Sequence, residues 1–125
     1  MTHIYVIDDD VDLLKVVKTI LKKQGYEVST FSDWKVAKEA TVETKPDLII
    51  LDVFLPGTDG LDICKRFKAS PYMKHIPILL FSGFPRIAET AIDDYGAEDF
   101  LGKPFEVNEL TNKVHAILAK RGVTT

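Results

Sequence analysis

The chain has 125 residues, 46% hydrophobic and 28% charged, which suits one folded domain with a buried core and excludes intrinsic disorder. Sixteen Lys+Arg against nineteen Asp+Glu leave a formal charge of −3, whereas general nucleic-acid binding needs a strongly basic face. A lone cysteine, Cys64, points to a reducing compartment; no apolar run is long enough to span a bilayer, and Met1-Thr2-His3 leads straight into a strand-like run rather than a secretory leader, so a cytoplasmic location is expected.

His3 to Ile7 is a short apolar run that stops at Asp8-Asp9-Asp10. Leu13, Leu14, Val17, Ile20 and Leu21 then fall at helical spacing, and Gly25 is the expected C-cap. Tyr26 to Thr30 has strand composition. Ser32 is the expected N-cap of a second helix with Val36, Ala37 and Ala40 facing inward. After Pro46, the continuous run Leu48 to Leu51 suits a strand covered on both faces. Pro56-Gly57-Thr58-Asp59-Gly60 is loop chemistry, and Leu61, Cys64 and Phe67 define one face of a third helix. Ile76 to Phe81 reads as the fourth strand, Ile87 to Tyr95 as a helix closed by Gly96, and Glu98 to Leu101 as the fifth strand. Val107, Leu110, Val114, Ile117 and Leu118 mark the last helix, and Gly122 to Thr125 a frayed end. Five strand-then-helix units imply an α/β three-layer sandwich with a parallel sheet between helices.

Ligands of open α/β sheets bind beyond the carboxyl ends of the strands. Those positions hold Asp8, Asp9 and Asp10 after the first strand, Asp52 after the third, Ser82-Gly83 after the fourth and Lys103-Pro104 after the fifth. The opposite edge gathers His3, Pro46 and His75, which form no comparable set. Carboxylates of Asp8, Asp9 and Asp52 brought to ~6 Å would repel by roughly 3 kcal/mol per pair, so they must raise their pKa values or recruit a cation. Oxygen donors with room for water suit Mg²⁺. A carboxylate between a divalent metal and Lys103 is placed to attack phosphorus, with Ser82 able to donate to a phosphoryl oxygen.

Five segments now stand in register: Ile7-Asp8-Asp9-Asp10, Asp47 to Asp52, Leu55 to Gly60, Phe81-Ser82-Gly83 and Lys103-Pro104-Phe105. Together they resemble the receiver domain of two-component response regulators, the CheY-like family, from about Ile4 to Leu118. Residues 1–125 therefore read as a single receiver domain with a short tail at 119–125. The resemblance implies a doubly wound five-stranded parallel sheet of order 2-1-3-4-5, a flavodoxin-like three-layer sandwich. It implies Asp52 as phospho-acceptor, with Asp8, Asp9, Asp52 and the backbone carbonyl of Phe54 holding Mg²⁺. It further implies Ser82 as switch hydroxyl, Lys103 as phosphate-pairing lysine, Phe100 as switch aromatic and a cis bond before Pro104. The expected function is a phosphorelay signalling module that takes phosphoryl from a sensor histidine kinase or a histidine phosphotransfer domain. It would act on an effector protein or an output domain, alone or within a longer regulator, without direct nucleic-acid or membrane binding. As chemistry it would catalyse only its own phosphorylation and a slow autodephosphorylation.

Simpler roles compete at each position. Aspartates at a helix start serve as caps, and Asp10 is expected to do so; Asp8 and Asp9 are set apart by Asp52 in register. Cys64 reads as a small core residue, and His3, His75 and His115 lack metal-ligand spacing. Trp34 reads as a half-exposed packing residue rather than a ligand platform. A Mg²⁺-dependent aspartyl-phosphate phosphatase would resemble a pattern with an acid two positions after the nucleophile, where this chain has Phe54. A flavodoxin-like electron carrier needs a phosphate-cradling loop where Asp8-Asp9-Asp10 stands. A phosphorylation-independent interaction domain would not need the full acid, hydroxyl and lysine set. Asp99 and Lys113 resemble part of a known receiver dimer contact, but Glu89 stands where an arginine would be, so a monomer is expected when unphosphorylated, with a weak dimer on phosphorylation. Phe54 and Phe84 flank the expected route of attacking water and predict a long-lived phosphoryl group.

Overall fold

Alternation along five short strands sorts the core of this chain into two layers. The computed structural model describes residues 1–84, 86, 92 and 94–121. Its elements are β1 (His3–Ile7), α1 (Val11–Lys23), β2 (Glu27–Phe31), α2 (Trp34–Glu43) and β3 (Leu48–Asp52). There follow β4 (Phe54–Leu55), β5 (Thr58–Asp59), α3 (Gly60–Ala69), β6 (Ile78–Ser82), β7 (Asp99–Gly102) and α4 (Val107–Lys120). The main sheet has the order β2-β1-β3-β6-β7 with every neighbouring pair parallel. Counting only its own strands, that is 2-1-3-4-5. The chain starts at β1, adds β2 on one side and crosses to β3 on the other, so the order reverses between β1 and β3. At that switch point the strand ends splay and leave a crevice.

Strand side chains point alternately to opposite faces. On one face Ile4, Val6, Leu48, Ile50, Leu79, Phe81 and Leu101 pack against Leu14 and Val17 of α1 and Leu110, Val114 and Ile117 of α4. On the other, Tyr5, Ile7, Ile49, Leu51, Ile78, Leu80 and Phe100 pack against Ala37 of α2 and Ile63, Cys64 and Phe67 of α3. β3 and β6 are buried along their whole length, which explains their unbroken apolar runs.

Several local expectations are corrected. The second helix is capped by Asp33, not Ser32: Asp33 Oδ1 accepts from Lys35 N at 2.7 Å. Val36 is exposed, and Ala37 and Thr41 are the buried residues of that helix. The C-cap of α1 is Gln24, with Gly25 the next residue at φ 94, a value costly for any residue with a Cβ. The segment Leu55 to Gly60 is more ordered than loop chemistry implies, because Phe54–Leu55 pairs antiparallel with Thr58–Asp59 around Gly57 at φ 69. The inward face of α3 is Gly60, Ile63, Cys64 and Phe67, with Leu61 only partly buried. Of the helix expected over Ile87, Ala88, Ala91, Ile92 and Tyr95, the residues Ile87, Ala88 and Ala91 lie outside the described residues, as do Glu89 and the tail at Gly122; Ile92 is exposed and Tyr95 partly buried. No helix among the described residues is long and apolar enough to cross a membrane.

Candidate functional site: an acidic pocket at the carboxyl edge

Asp8 follows β1, and Asp52 ends β3 as the first polar residue after four buried aliphatics. Neighbouring parallel strands therefore deliver both carboxylates to the switch point. Asp8 is 1% exposed and Asp52 6%, which makes the site a pocket rather than a surface edge. One carboxylate oxygen from each of Asp8, exposed Asp9 and Asp52 lies within 4.8 Å of the others. Asp10 faces away and caps α1, accepting from Leu13 N at 3.1 Å.

The turn after β7 carries Lys103 into the pocket. Its Nζ donates to Asp8 Oδ2 at 2.6 Å and lies 3.6 Å from Asp52 Oδ1, so the lysine sits on the more buried acid and only within reach of the other. The Lys103–Pro104 peptide bond is cis. Lys103 Nζ also lies 6.0 Å from the centre of the Phe81 ring, on the face of the sheet that packs against α1 and α4. Burial pushes the Asp52 carboxyl above its ordinary pKa and Asp8 adds to the rise; Lys103 and the Phe54 N–H pull it back, and Asp9 raises it. One ammonium faces three acids.

Ser82 is 1% exposed at the end of β6, where its Oγ accepts from Phe84 N at 3.0 Å. Two residues back along the same face lies Leu80, which is in register with Phe100 on β7. Phe100 is buried in the α2–α3 layer. Phe54 and Phe84 are 56% and 60% exposed and meet edge to face with ring centres 5.2 Å apart. The structure thus brings Asp8, Asp9, Asp52 and Lys103 into one pocket, places Ser82 at the neighbouring strand end, and sets the two exposed phenylalanines, each two residues past Asp52 or Ser82, against each other.

Gly60 was not singled out by the sequence, yet it is fixed by this pocket. A Cβ there would stand 2.4 Å from the Asp52 carbonyl oxygen and 2.6 Å from Val53 Cα. Its N–H donates to Val53 O at 2.7 Å, which holds the first turn of α3 against the end of β3. Only the Pro-Gly-x-x-Gly spacing of the preceding loop hinted at such a close approach.

Residues 4–115 match the response regulator receiver domain family. The chain belongs to that family. This receiver is 35% identical over 121 residues to the DNA-binding dual master transcriptional regulator RpaA of Synechocystis, covering 96% of the chain and 50% of that protein. It is 35% identical to the alkaline phosphatase synthesis transcriptional regulatory protein PhoP of Bacillus subtilis, covering 94% of the chain and 48% of that protein. The receiver thus spans about half the length of the curated relatives it matches. Among solved structures it resembles a response regulator from Chloroflexus aurantiacus, with a TM-score of 0.87, 36% identity, and 94% and 98% of the two chains covered. It also resembles the Vibrio cholerae chemotaxis protein CheY4, with a TM-score of 0.85, 28% identity, and 94% and 99% covered.

Proposed function

We propose that Asp52 of this receiver accepts a phosphoryl group from a phosphohistidine of a sensor histidine kinase or histidine phosphotransfer domain. The observation that carries this reading is the half-neutralised carboxylate itself: Asp52 is buried beside Asp8 and Asp9 with the Lys103 ammonium 3.6 Å away. An Asp52 oxygen attacks phosphorus in line, the O–P bond forms as the N–P bond breaks, and the imidazole nitrogen keeps the electron pair and takes up a proton. Lys103 is free to turn from Asp8 toward the incoming oxygens, and Ser82 Oγ can donate to one of them.

The donor set fits Mg²⁺, since three carboxylates within 4.8 Å against one lysine leave negative charge to be met by a hard cation. Asp8, Asp9, Asp52 and the Phe54 carbonyl would hold it, and when bound it offsets the charge of the transferring group. A donor protein would find apolar ground beside the pocket, where exposed Val16 of α1 adjoins Leu13 and Phe105.

The consequence of transfer is a switch. Ser82 is drawn to the phosphoryl group, and Phe100 moves with the space it vacates, changing the partner-binding face over β7 and α4. Asp99 and Lys113 on that face are paired within the chain at 3.0 Å, which favours a monomer before phosphorylation; light scattering of the unmodified protein should show one. The edge-to-face pair of Phe54 and Phe84 supports slow hydrolysis, because neither ring can orient a water molecule.

Incubation with acetyl phosphate and Mg²⁺ should add one phosphoryl group to the wild type, read by intact-protein mass spectrometry. Asp52→Asn should add none while keeping the circular dichroism of the wild type. Phosphorylation of that variant to the same extent would refute the assignment. Asp9→Ala should weaken Mg²⁺ in a fluorescence or calorimetric titration, and an unchanged titration would remove Asp9 from the donor set.

A further inference from the structure

Between α2, α3 and the turn that follows α3 lies a cavity of about 300 Å³, on the face of the sheet away from Asp52's lysine. Its floor is the tilted pair of Trp34 and Phe67, with ring centres 5.2 Å apart. Its mouth is formed by Val42, 73% exposed, and by Tyr72, over whose ring Lys45 Nζ stands at 3.6 Å from the centre. The charged side chains that line it are Lys38 and Arg66, both cations, and no acid lines it. Arg66 shares Asp62 at 2.9 Å in an exposed pair of one helix, a contact worth little and easily exchanged. Among the described residues Lys38 has no ion-pair partner. The wall hydroxyl of Thr41 is already committed, donating to Lys38 O at 2.6 Å.

An apolar hollow in an otherwise acidic chain, with only cations at its rim, selects for an apolar body bearing one negative charge. Its volume lies at the small end of the range for small-molecule pockets. A protein partner needs roughly 800 Å² of surface on each side, far more than one valine and one tyrosine expose. We propose that this cavity binds a small amphipathic carboxylate, its hydrocarbon body on Trp34 and Phe67 and its carboxylate between Lys38 and Arg66. Guanidinium recognition of a carboxylate is bidentate and directional, which suits the Arg66 side of the rim. Trp34 is then a ligand platform, contrary to its reading from sequence as packing alone.

The test uses the same residue. Trp34 is the only tryptophan of the chain, so its emission reports on the cavity directly. Octanoate should change that emission saturably. Octanol should bind about tenfold more weakly or worse, and octylammonium should produce no saturable change. Val42→Glu and Lys38→Glu should each weaken octanoate about tenfold or more, while Val36→Glu, exposed on the same helix but outside the cavity, should leave it unchanged. Acetyl phosphate labelling of every variant checks that each is folded. No saturable change with octanoate, equal binding of octanol, or wild-type affinity in Val42→Glu and Lys38→Glu would overturn the proposal. So would an emission change that grows with protein concentration alone and disappears in Val42→Glu, which would assign the cavity to a second copy of the chain.

Discussion

The two ends of the sheet treat charge in opposite ways. At the amino end, the backbone N–H of His3 donates to Asp47 Oδ2 at 2.8 Å, and the N–H of Asp47 returns a bond to His3 O at 2.7 Å. Glu98 accepts from Ile78 N through one oxygen and from Lys68 Nζ at 2.7 Å through the other, and Lys68 also reaches Ile76 O at 3.0 Å. Each acid there is matched by donors of its own. At the carboxyl end the buried acids Asp8 and Asp52 share Lys103, with a carboxylate oxygen of exposed Asp9 within 4.8 Å of theirs. The polar groups of one end tie strands together. Those of the other are left short of positive charge, a condition that disfavours the resting fold and favours arriving cations and phosphoryl oxygens.

Four substitutions sharpen this contrast. The largest effect is expected at the carboxyl end, where Asp52→Asn should abolish phosphoryl uptake altogether, read by intact-protein mass spectrometry. At the amino end Glu98→Ala should lower stability by about 2 kcal/mol, because Ile78 N–H and Lys68 lose their acceptor, and chemical denaturation measures it. That variant should take up phosphate as the wild type does, and a joint loss of both would erase the distinction between the ends. Phe54→Asn and Phe84→Glu should each hasten loss of phosphate from preloaded protein about tenfold, equivalent to ~1.4 kcal/mol in the barrier; equal lifetimes would dismiss the aromatic pair as a shield.

The smallest effect is a pH dependence. The Asp52 pKa is raised in the folded chain, first by burial, so the folded state holds an extra proton between its unfolded and folded values. Stability then falls as pH rises from the ordinary carboxylate range upward. In EDTA, Asp52→Asn should match the wild type in acid and gain over it toward neutrality. A gap that closes with rising pH would reverse the argument.

Much of this was legible in the residues. Short apolar runs and helical spacing placed the five strands of the main sheet and the helices α1 to α4, because β3 and β6 are covered on both faces and their apolar runs are uninterrupted; the small β4–β5 pair was read as loop. The rule that ligands gather at the carboxyl ends picked out Asp8, Asp52, Ser82 and Lys103 without any family likeness. What stayed hidden depends on three-dimensional closeness that no period encodes. Cap choice between the neighbours Ser32 and Asp33 turns on which side chain meets a free N–H of the first turn, and Asp33 meets that of Lys35. Gly60 is fixed by atoms of residues 52 and 53, and Lys103's preference for Asp8 by relative depth. Glu98 and Lys68, thirty residues apart, meet only after α3 and β7 have packed. The hollow beside Trp34 is a gap between elements, and gaps leave no mark in a sequence.

The alternation of strand side chains has one more consequence, for traffic at the molecule's surface. Asp8, Asp52 and Lys103 converge over Phe81, on the side covered by α1 and α4, whereas Leu80, and with it Ser82 two residues on, shares the opposite side with Phe100. A phosphoryl group taken up by Asp52 would thus lie on one side of the sheet, while Ser82 and Phe100, the residues proposed to register it, belong to the other, so that the sheet edge itself would couple the two layers.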